Sequence, residues 1–185
     1  ITDISKECFV PLVVGGGIKD LKTIEKLLRC GADKVSINSY AAKQPEFLSK
    51  ASKEFGSQCI IACLDFKRSE NNNVFINCGS TSVSKNIFEM AKIYEQTGCG
   101  EITISSIDND GTLKGYDLEI ISMIKKNIKT PIIASGGCGR YEDMFELFFE
   151  TNVEAAAAAS IFHFSKMTPR GAKKYLKNKE INVRV

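Results

Sequence analysis

The chain has 185 residues, 43% of them hydrophobic, and its 25 Lys and Arg against 22 Asp and Glu give a net charge of +3. This length and apolar content suit one domain with one core, and the dispersed charges form no basic tail or stripe that would indicate nucleic-acid binding. The seven cysteines contain no C-x-x-C pair, there is one histidine, and neither a membrane-spanning run nor a secretory leader is evident. This pattern predicts a cytoplasmic protein with reduced thiols, no metal site, no cofactor and no membrane contact.

Short apolar runs alternate with helix-period stretches along the chain. The apolar runs are predicted strands, over Val10–Val14, Lys34–Asn38, Cys59–Asp65, Glu101–Ile107, Pro131–Ser135 and Ala155–Ser160. The stretches between them are predicted helices, over Leu21–Cys30, Pro45–Phe55, Ile87–Thr97, Leu118–Asn127 and Tyr141–Glu150. Strands that are apolar on both faces and separated by helices predict a parallel sheet covered by helices, either an open doubly wound sheet or a closed (βα)8 barrel.

The length of the chain favours part of a barrel. A (βα)8 barrel typically needs about 250 residues in eight units, whereas about six units can be recognised here. The chain also begins at Ile1 without a methionine, and Thr2–Phe9 resembles the end of a helix. We therefore expect residues 1–185 to form a single TIM-barrel domain of units three to eight, lacking about the first two βα units. The polar stretch Ser69–Asn73 predicts a loop at the mouth of this barrel.

An internal repeat supports the barrel over the open sheet. Pro11–Gly17, a helix and Lys34–Ser39 are echoed by Pro131–Gly137, a helix and Ala155–Ser160. The shift is about 120 residues, or four units, which is what a duplicated half-barrel would leave.

Glycines follow the first strand of each repeated block, as Gly16-Gly17 and Gly136-Gly137. Glycines in this position let backbone N–H groups approach a phosphate closely. Each pair alone could equally be a tight turn, but the duplication predicts two phosphate cradles, one in each half, and a ligand with two phosphates. Two further pairs could complete the cradles or simply cap the next helix; they are Asn38 with Ser39, and Ala159 with Ser160.

Asp65 ends an otherwise apolar strand. Desolvation at such a position raises a carboxyl pKa and suits the group to proton transfer. The alternative is an ion pair with Lys67 or Arg68.

The segment Ser106–Thr112 contains two acids, Asp108 and Asp110, before Gly111. An EF-hand loop needs its glycine at the sixth position, whereas Gly111 is at the fourth position when Asp108 is the first, so we expect a polar turn or a ligand contact rather than calcium. The only histidine, His163, is interpreted as a partly buried structural residue.

These motifs resemble those of one family, the cyclase subunit of imidazole glycerol phosphate synthase, in the same order and over nearly the whole chain. The matching segments are Val14–Ile18, Gly31–Asn38, Phe55–Gln58, Leu64-Asp65 with Lys67-Arg68, Ser106–Thr112 with Gly115–Asp117, Ile132–Gly137 and Ala159–His163.

The resemblance implies a (βα)8 lyase of histidine biosynthesis. From ammonia and a phosphoribulosyl-formimino aminoimidazole carboxamide bisphosphate it would produce imidazole glycerol phosphate and an aminoimidazole carboxamide ribotide. By the same resemblance Asp65 is one of two catalytic aspartates, while the other belongs to a first strand that this chain does not contain. We therefore expect these residues alone to be inactive. The residues implied for one phosphate are Gly17, Asn38 and Ser39, and those implied for the other are Asp110, Gly111, Gly137 and Ser160.

The resemblance also implies a partner, a glutaminase subunit that docks at the opposite face in a heterodimer and supplies ammonia through the barrel. Lys34 and Glu101, at the starts of their strands, match charged residues at that ammonia entrance. They could equally form a structural salt bridge across the barrel floor.

Several positions depart from the family pattern, namely Cys78, Met90, Asn109 and Ser80–Ser84. Because most of them surround the mouth, a second function stays open: an ammonia-using paralogue that aminates or amidinates a sugar for surface polysaccharides. A barrel that binds phosphates without catalysis is a third hypothesis. An isomerase of the same pathway, also a duplicated half-barrel, is a fourth.

Overall fold

The computed structural model describes residues 1–69 and 71–184. Its strands are β1 Val13–Gly15, β2 Lys34–Ile37, β3 Ile60–Phe66, β4 Asn73–Ile76, β5 Thr81–Asn86, β6 Glu101–Ser106, β7 Ile132–Ser135 and β8 Ala155–Ala156. Its α-helices are α1 Thr2–Glu7, α2 Leu21–Arg29, α3 Ser39–Lys43, α4 Glu46–Phe55, α5 Ile87–Thr97, α6 Leu118–Lys125, α7 Tyr141–Thr151, α8 Ser160–Phe164 and α9 Pro169–Asn178. A 3₁₀ turn at Ser57–Cys59 precedes β3.

Six of the strands are parallel and follow the chain in the order β1-β2-β3-β6-β7-β8. The order never reverses, whereas a doubly wound sheet reverses at a switch point between its halves. Parallel strands that follow one another around a sheet and alternate with helices form the TIM-barrel architecture. The predicted fold class is therefore confirmed.

The two remaining strands form an antiparallel hairpin that branches from β3. Asp65 pairs with Phe75 of β4, and β4 pairs in turn with β5. No strand was predicted here, because β5 is mostly exposed and polar. The predicted loop Ser69–Asn73 includes Glu70, which lies outside the described residues, and its last residue, Asn73, already begins β4.

The predicted elements agree with the structure in position, and two strands are shorter than expected by more than one residue. The strand predicted from Val10 begins at Val13, after Pro11, which has no N–H to donate to a ladder. The strand predicted over Ala155–Ser160 ends at Ala156, because Ala159 adopts the N-cap position of α8. Alanine is a weak strand former, so nothing in that run opposes the early change to a helix.

The core lies between the sheet and the helices. Successive side chains of a strand point to opposite faces, and in β6 the residues Ile102 and Ile104 are fully buried against the helices. Their neighbours Thr103 and Ser105 are half-buried and line a cavity on the other face. In β6, polar side chains therefore face the barrel interior while the apolar face packs against the helices. In the part of the chain that the structure describes, no helix is long and apolar enough to cross a membrane.

Candidate active site

The candidate site lies at the carboxyl ends of the parallel strands, where three cavities follow one another. The first has a volume of about 600 Å³ and includes Asp65 in its lining. The middle one, about 310 Å³, is lined by both Asp65 and Asp110. The third, about 140 Å³, includes Asp110 again. The shared aspartates make the three cavities one continuous mouth, with a glycine turn at each end.

The first end of the mouth brings together the residues predicted for one cradle. Its cavity is lined by Gly16, Gly17, Asn38 and Ser39, from the turn after β1 and the start of α3. Gly17 has φ +66, a conformation that residues with a Cβ rarely adopt, and a Cβ placed there would meet nothing within 4 Å. The turn therefore exposes its backbone to open space.

Asp65 stands between the two ends of the mouth. Asn38 Nδ2 donates a hydrogen bond of 2.6 Å to Asp65 Oδ2. Burial raises the pKa of Asp65, hydrogen bonds from Asn38 and Ser105 lower it, and the nearby Asp110 carboxylate raises it, with a net upward shift. A carboxyl with a raised pKa can hold and release a proton at mild pH, which is what general acid–base chemistry needs.

The alternative ion pair for Asp65 does not form among the described residues. Lys67 Nζ instead donates to the Gly79 carbonyl at 3.2 Å and lies over the Phe75 ring. Arg68 turns away to the start of α6, so Asp65 keeps its environment of neutral donors.

The second end of the mouth brings together the residues predicted for the other cradle. Its cavity is lined by Asp110, Gly136, Gly137, Ala159 and Ser160. The loop between β6 and α6 covers this turn, since the Gly115 N–H donates to the Gly137 carbonyl at 2.8 Å and Asn109 Nδ2 donates to the Gly115 carbonyl at 3.1 Å. Gly111 was also predicted here, but it lies in the exposed turn beyond Asp110 and lines none of the three cavities.

Arg68 connects the mouth loops through contacts that were not predicted from the sequence. Its guanidinium donates two hydrogen bonds of 2.7 Å to Asp117 and one of 2.8 Å to Glu119, while its backbone N–H donates to Asp108 at 2.6 Å. Asp117 is buried and caps α6 through the Ile120 N–H. Arg68 therefore ties the segment after Asp65 to the loop that carries Asp110.

The opposite end of the strands carries the predicted pair Lys34 and Glu101. Their side chains, each 26% exposed, form a salt bridge of 2.5 Å between β2 and β6. The structural salt bridge that was one alternative for this pair is therefore present. It is compatible with an additional role at an ammonia entrance.

Two predictions about metals and histidine can be compared with the structure. Within residues 1–69 and 71–184 no group of three or more His, Cys, Asp and Glu side chains could hold a metal ion. His163 was expected to be partly buried, and this was wrong: it lies exposed at the end of α8, beside the exposed Phe164.

The fold and the mouth define a (βα) barrel protein whose candidate site occupies the end of the barrel where enzymes of this fold place their active sites. A family model described as "Histidine biosynthesis protein" matches residues 1–168. Relatives named "Imidazole glycerol phosphate synthase subunit HisF" include one from Clostridium botulinum (strain Okra / Type B1), which is 42% identical, and one from Hydrogenobaculum sp. (strain Y04AAS1), which is 45% identical. Each match covers 98% of this chain and 73% of the relative. The chain belongs to the histidine biosynthesis protein family, and the resemblance read from its motifs is confirmed.

Proposed function

We propose that this chain takes part in the cyclase reaction of imidazole glycerol phosphate synthase, in which ammonia and a bisphosphate substrate give imidazole glycerol phosphate and an aminoimidazole carboxamide ribotide. The observation that carries the proposal is the single mouth with a glycine turn at each end and Asp65 between them. This arrangement suits a ligand with a phosphate at each end and its reacting atoms in the middle. The relatives support the histidine pathway, since those named above are synthase subunits, and the sugar-modifying alternative is not favoured.

In this proposal the two phosphates occupy the two ends of the mouth. Gly16, Gly17, Asn38 and Ser39 would hold one through backbone, amide and hydroxyl donors. The second phosphate would lie in the smaller cavity at the other end. The residues proposed for it are Asp110, Gly111, Gly136, Gly137, Ala159 and Ser160, of which all but Gly111 line that cavity.

Asp65 would move protons during cyclisation and cleavage. Because burial raises its pKa, the carboxyl can take a proton from an attacking amine and return it to a leaving group. The hydrogen bond from Asn38 fixes one carboxyl oxygen and connects the proton-transfer group to a residue of the first cradle. Binding of the first phosphate would thus help to orient Asp65.

The family relatives are subunits of a synthase, so a partner is implied for this chain. We propose that the partner is a glutaminase that docks at the end of the barrel opposite the mouth and supplies ammonia there. The Lys34–Glu101 pair would then lie at the entrance, because it is at the starts of β2 and β6. The described cysteines are free thiols, and we propose the cytoplasm as the location.

Complementation of a histidine auxotroph that lacks the cyclase tests the proposal. We expect the full-length gene to restore growth without histidine and the same gene with Asp65→Asn to fail, although both proteins are soluble. If the parent gene fails despite soluble expression, the histidine role is wrong. If Asp65→Asn restores growth at the parental rate, the barrel works without this carboxylate and the proposed mechanism is wrong.

A further inference from the structure

Two lysines, Lys19 and Lys43, lie beside the first cradle in addition to its glycines and polar side chains. Lys19 lies two residues beyond Gly17, and Lys43 lies one helical turn beyond Ser39 in α3, on the same face of that helix. Both line the same cavity as Gly17 and Ser39. No lysine or arginine is among the residues that line the third cavity, where the charged residue is Asp110.

Both lysine amines are available to a ligand. Within the described residues, neither takes part in a salt bridge or a side-chain hydrogen bond. Asp20 follows Lys19 in the chain, but its carboxylate caps α2 by accepting from the Thr23 N–H at 2.8 Å and from the Thr23 hydroxyl at 3.0 Å. The acid that shares the cavity is Asp65, which has its own donor in Asn38.

We propose that Lys19 and Lys43 form a two-amine clamp that makes the first cradle the stronger phosphate site, so that the ligand is anchored at this end. The proposal rests on the proposed function and assigns the two cradles unequal tasks. Backbone N–H groups, an amide and a hydroxyl direct a phosphate but carry no full charge, whereas a lysine adds a point charge of opposite sign. The second cradle has neutral donors and a carboxylate, so its attraction for a dianion is weaker.

Anchoring at the first cradle has a geometric consequence. Asn38 belongs to this cradle and also donates to Asp65, so the end that binds first is the end joined to the proton-transfer group. The rest of the ligand then has to extend past Asp65 towards Asp110 before its second phosphate is held. With this order of binding, the reacting atoms of the ligand would contact Asp65 before its second phosphate is held at the other end of the mouth.

Inorganic phosphate and backbone NMR test the clamp. In the parent chain we expect phosphate to shift the Gly17 amide signal at lower concentration than the Gly137 amide signal. The double variant Lys19→Gln/Lys43→Gln should weaken binding at Gly17 by about tenfold or more and leave the Gly137 response unchanged. The matched control Lys50→Gln/Lys53→Gln removes the same charge from exposed positions of α4 and should leave both responses unchanged.

The possible outcomes separate the clamp from the cradles. If phosphate shifts Gly17 equally in the parent and in Lys19→Gln/Lys43→Gln, the clamp is wrong while the first cradle stands. If the control variant weakens Gly17 as much as the clamp variant does, the effect is general charge and the clamp is again wrong. If phosphate shifts neither glycine in the parent, the two-cradle function fails and the clamp fails with it. A dispersed amide spectrum identifies folded protein in every sample.

Discussion

The two glycine turns of the mouth share positive φ angles and differ in their surroundings. Gly17 and Gly137 both have positive φ, at +66 and +102. A Cβ on Gly17 would meet nothing within 4 Å, whereas a Cβ on Gly137 would collide with the Gly115 carbonyl oxygen. The first turn is exposed, and the second is buried beneath the loop between β6 and α6.

This difference shows what a duplicated sequence preserves and what it does not. The repeat preserves the turn, because only glycine adopts these dihedral angles without cost. The space around each turn is set by other segments: two lysines border the first cavity, and the loop containing Asn109 and Gly115 covers the turn at the third cavity. Two cradles of similar sequence therefore differ in charge, in volume and in tolerance to substitution.

The substitution with the largest expected effect is at the carboxylate between the two turns. Asp65→Asn should lower kcat of the full-length protein by roughly 10²- to 10⁴-fold, the usual contribution of a positioned acid–base group. Phosphate should still shift the Gly17 and Gly137 amide signals, because the backbone donors of the glycine turns remain when this charge is removed. The measurement is steady-state turnover with ammonia and the bisphosphate substrate.

Cys63→Ser is a suitable control for Asp65→Asn, since Cys63 lies two residues earlier on the same face of β3 and lines the same cavity. It should leave kcat within a few-fold of the parental value. A parental kcat in Asp65→Asn would contradict the assigned role.

Alanine at the two turns compares their surroundings directly. Gly17→Ala should lower the free energy of unfolding by about 1–2 kcal/mol, the cost of the left-handed backbone alone. Gly137→Ala should lower it by about 4 kcal/mol, because the collision with the Gly115 carbonyl adds an overpacking cost. Urea unfolding measures both. Equal losses would mean that the loop yields readily and that the second turn is no more confined than the first.

Replacing Arg68, which connects the mouth loops, should lower the free energy of unfolding slightly less than Gly137→Ala does. Arg68→Met leaves Asp117, whose side chain is 1% exposed, without its cationic partner. We expect a loss of about 3 kcal/mol in the free energy of unfolding, as for other buried carboxylates that lose a partner. Arg29→Met breaks an exposed pair with Glu25 and should change stability by less than about 1 kcal/mol. Similar losses in the two variants would show that Arg68 does not hold the loops.

The smallest expected effect is a dependence of stability on pH. Burial raises the pKa of Asp65 above 3.8, so between the unfolded and folded values the native chain binds more protons and its stability falls as pH rises. Asp65→Asn removes this penalty, so its stability relative to the parent should increase as pH rises from the unfolded pKa of Asp65 through its raised folded pKa.

Asp20→Asn should show the opposite sign. The Thr23 N–H and hydroxyl lower the pKa of Asp20, which therefore stabilises the parent above its unfolded pKa and loses this contribution as pH falls through the lowered value. Urea unfolding across the pH range measures both variants. A stability difference for Asp65→Asn that stays constant with pH would contradict the raised pKa.

Much of this architecture could be predicted from local patterns. Apolar runs and helix periodicity indicate the parallel strands and the main helices, and the repeat indicates which glycines face each other across the mouth. Asp65 was recognisable because a carboxylate that closes an apolar strand stands out. The strands, the helices and Asp65 could be predicted from residues that are close together in the sequence, where periodicity carries the information.

The features that were missed depend on distant residues. Arg68 bonds to Asp117 and Glu119, which lie about fifty positions away in the sequence, and no local signal connects them to it. The hairpin was missed because its outer strand is polar, and the unequal surroundings of Gly17 and Gly137 depend on a loop that the repeat does not include. Lys43 of the proposed clamp could have been noticed by its spacing, since it is four residues after Ser39.

The backbone of Asp65 is braced on both sides, by Phe75 of the hairpin and by Ser105 of β6. The turn of the hairpin, which contains Cys78, begins only after the bracing strand β4, and the divergent segment Ser80–Ser84 continues from this turn into β5. Because Cys78 lines the first and middle cavities, we expect substitutions in this turn to alter what the mouth binds while the backbone of Asp65 keeps its place. Ligand preference and the position of the proposed proton-transfer group would then be set by separate segments.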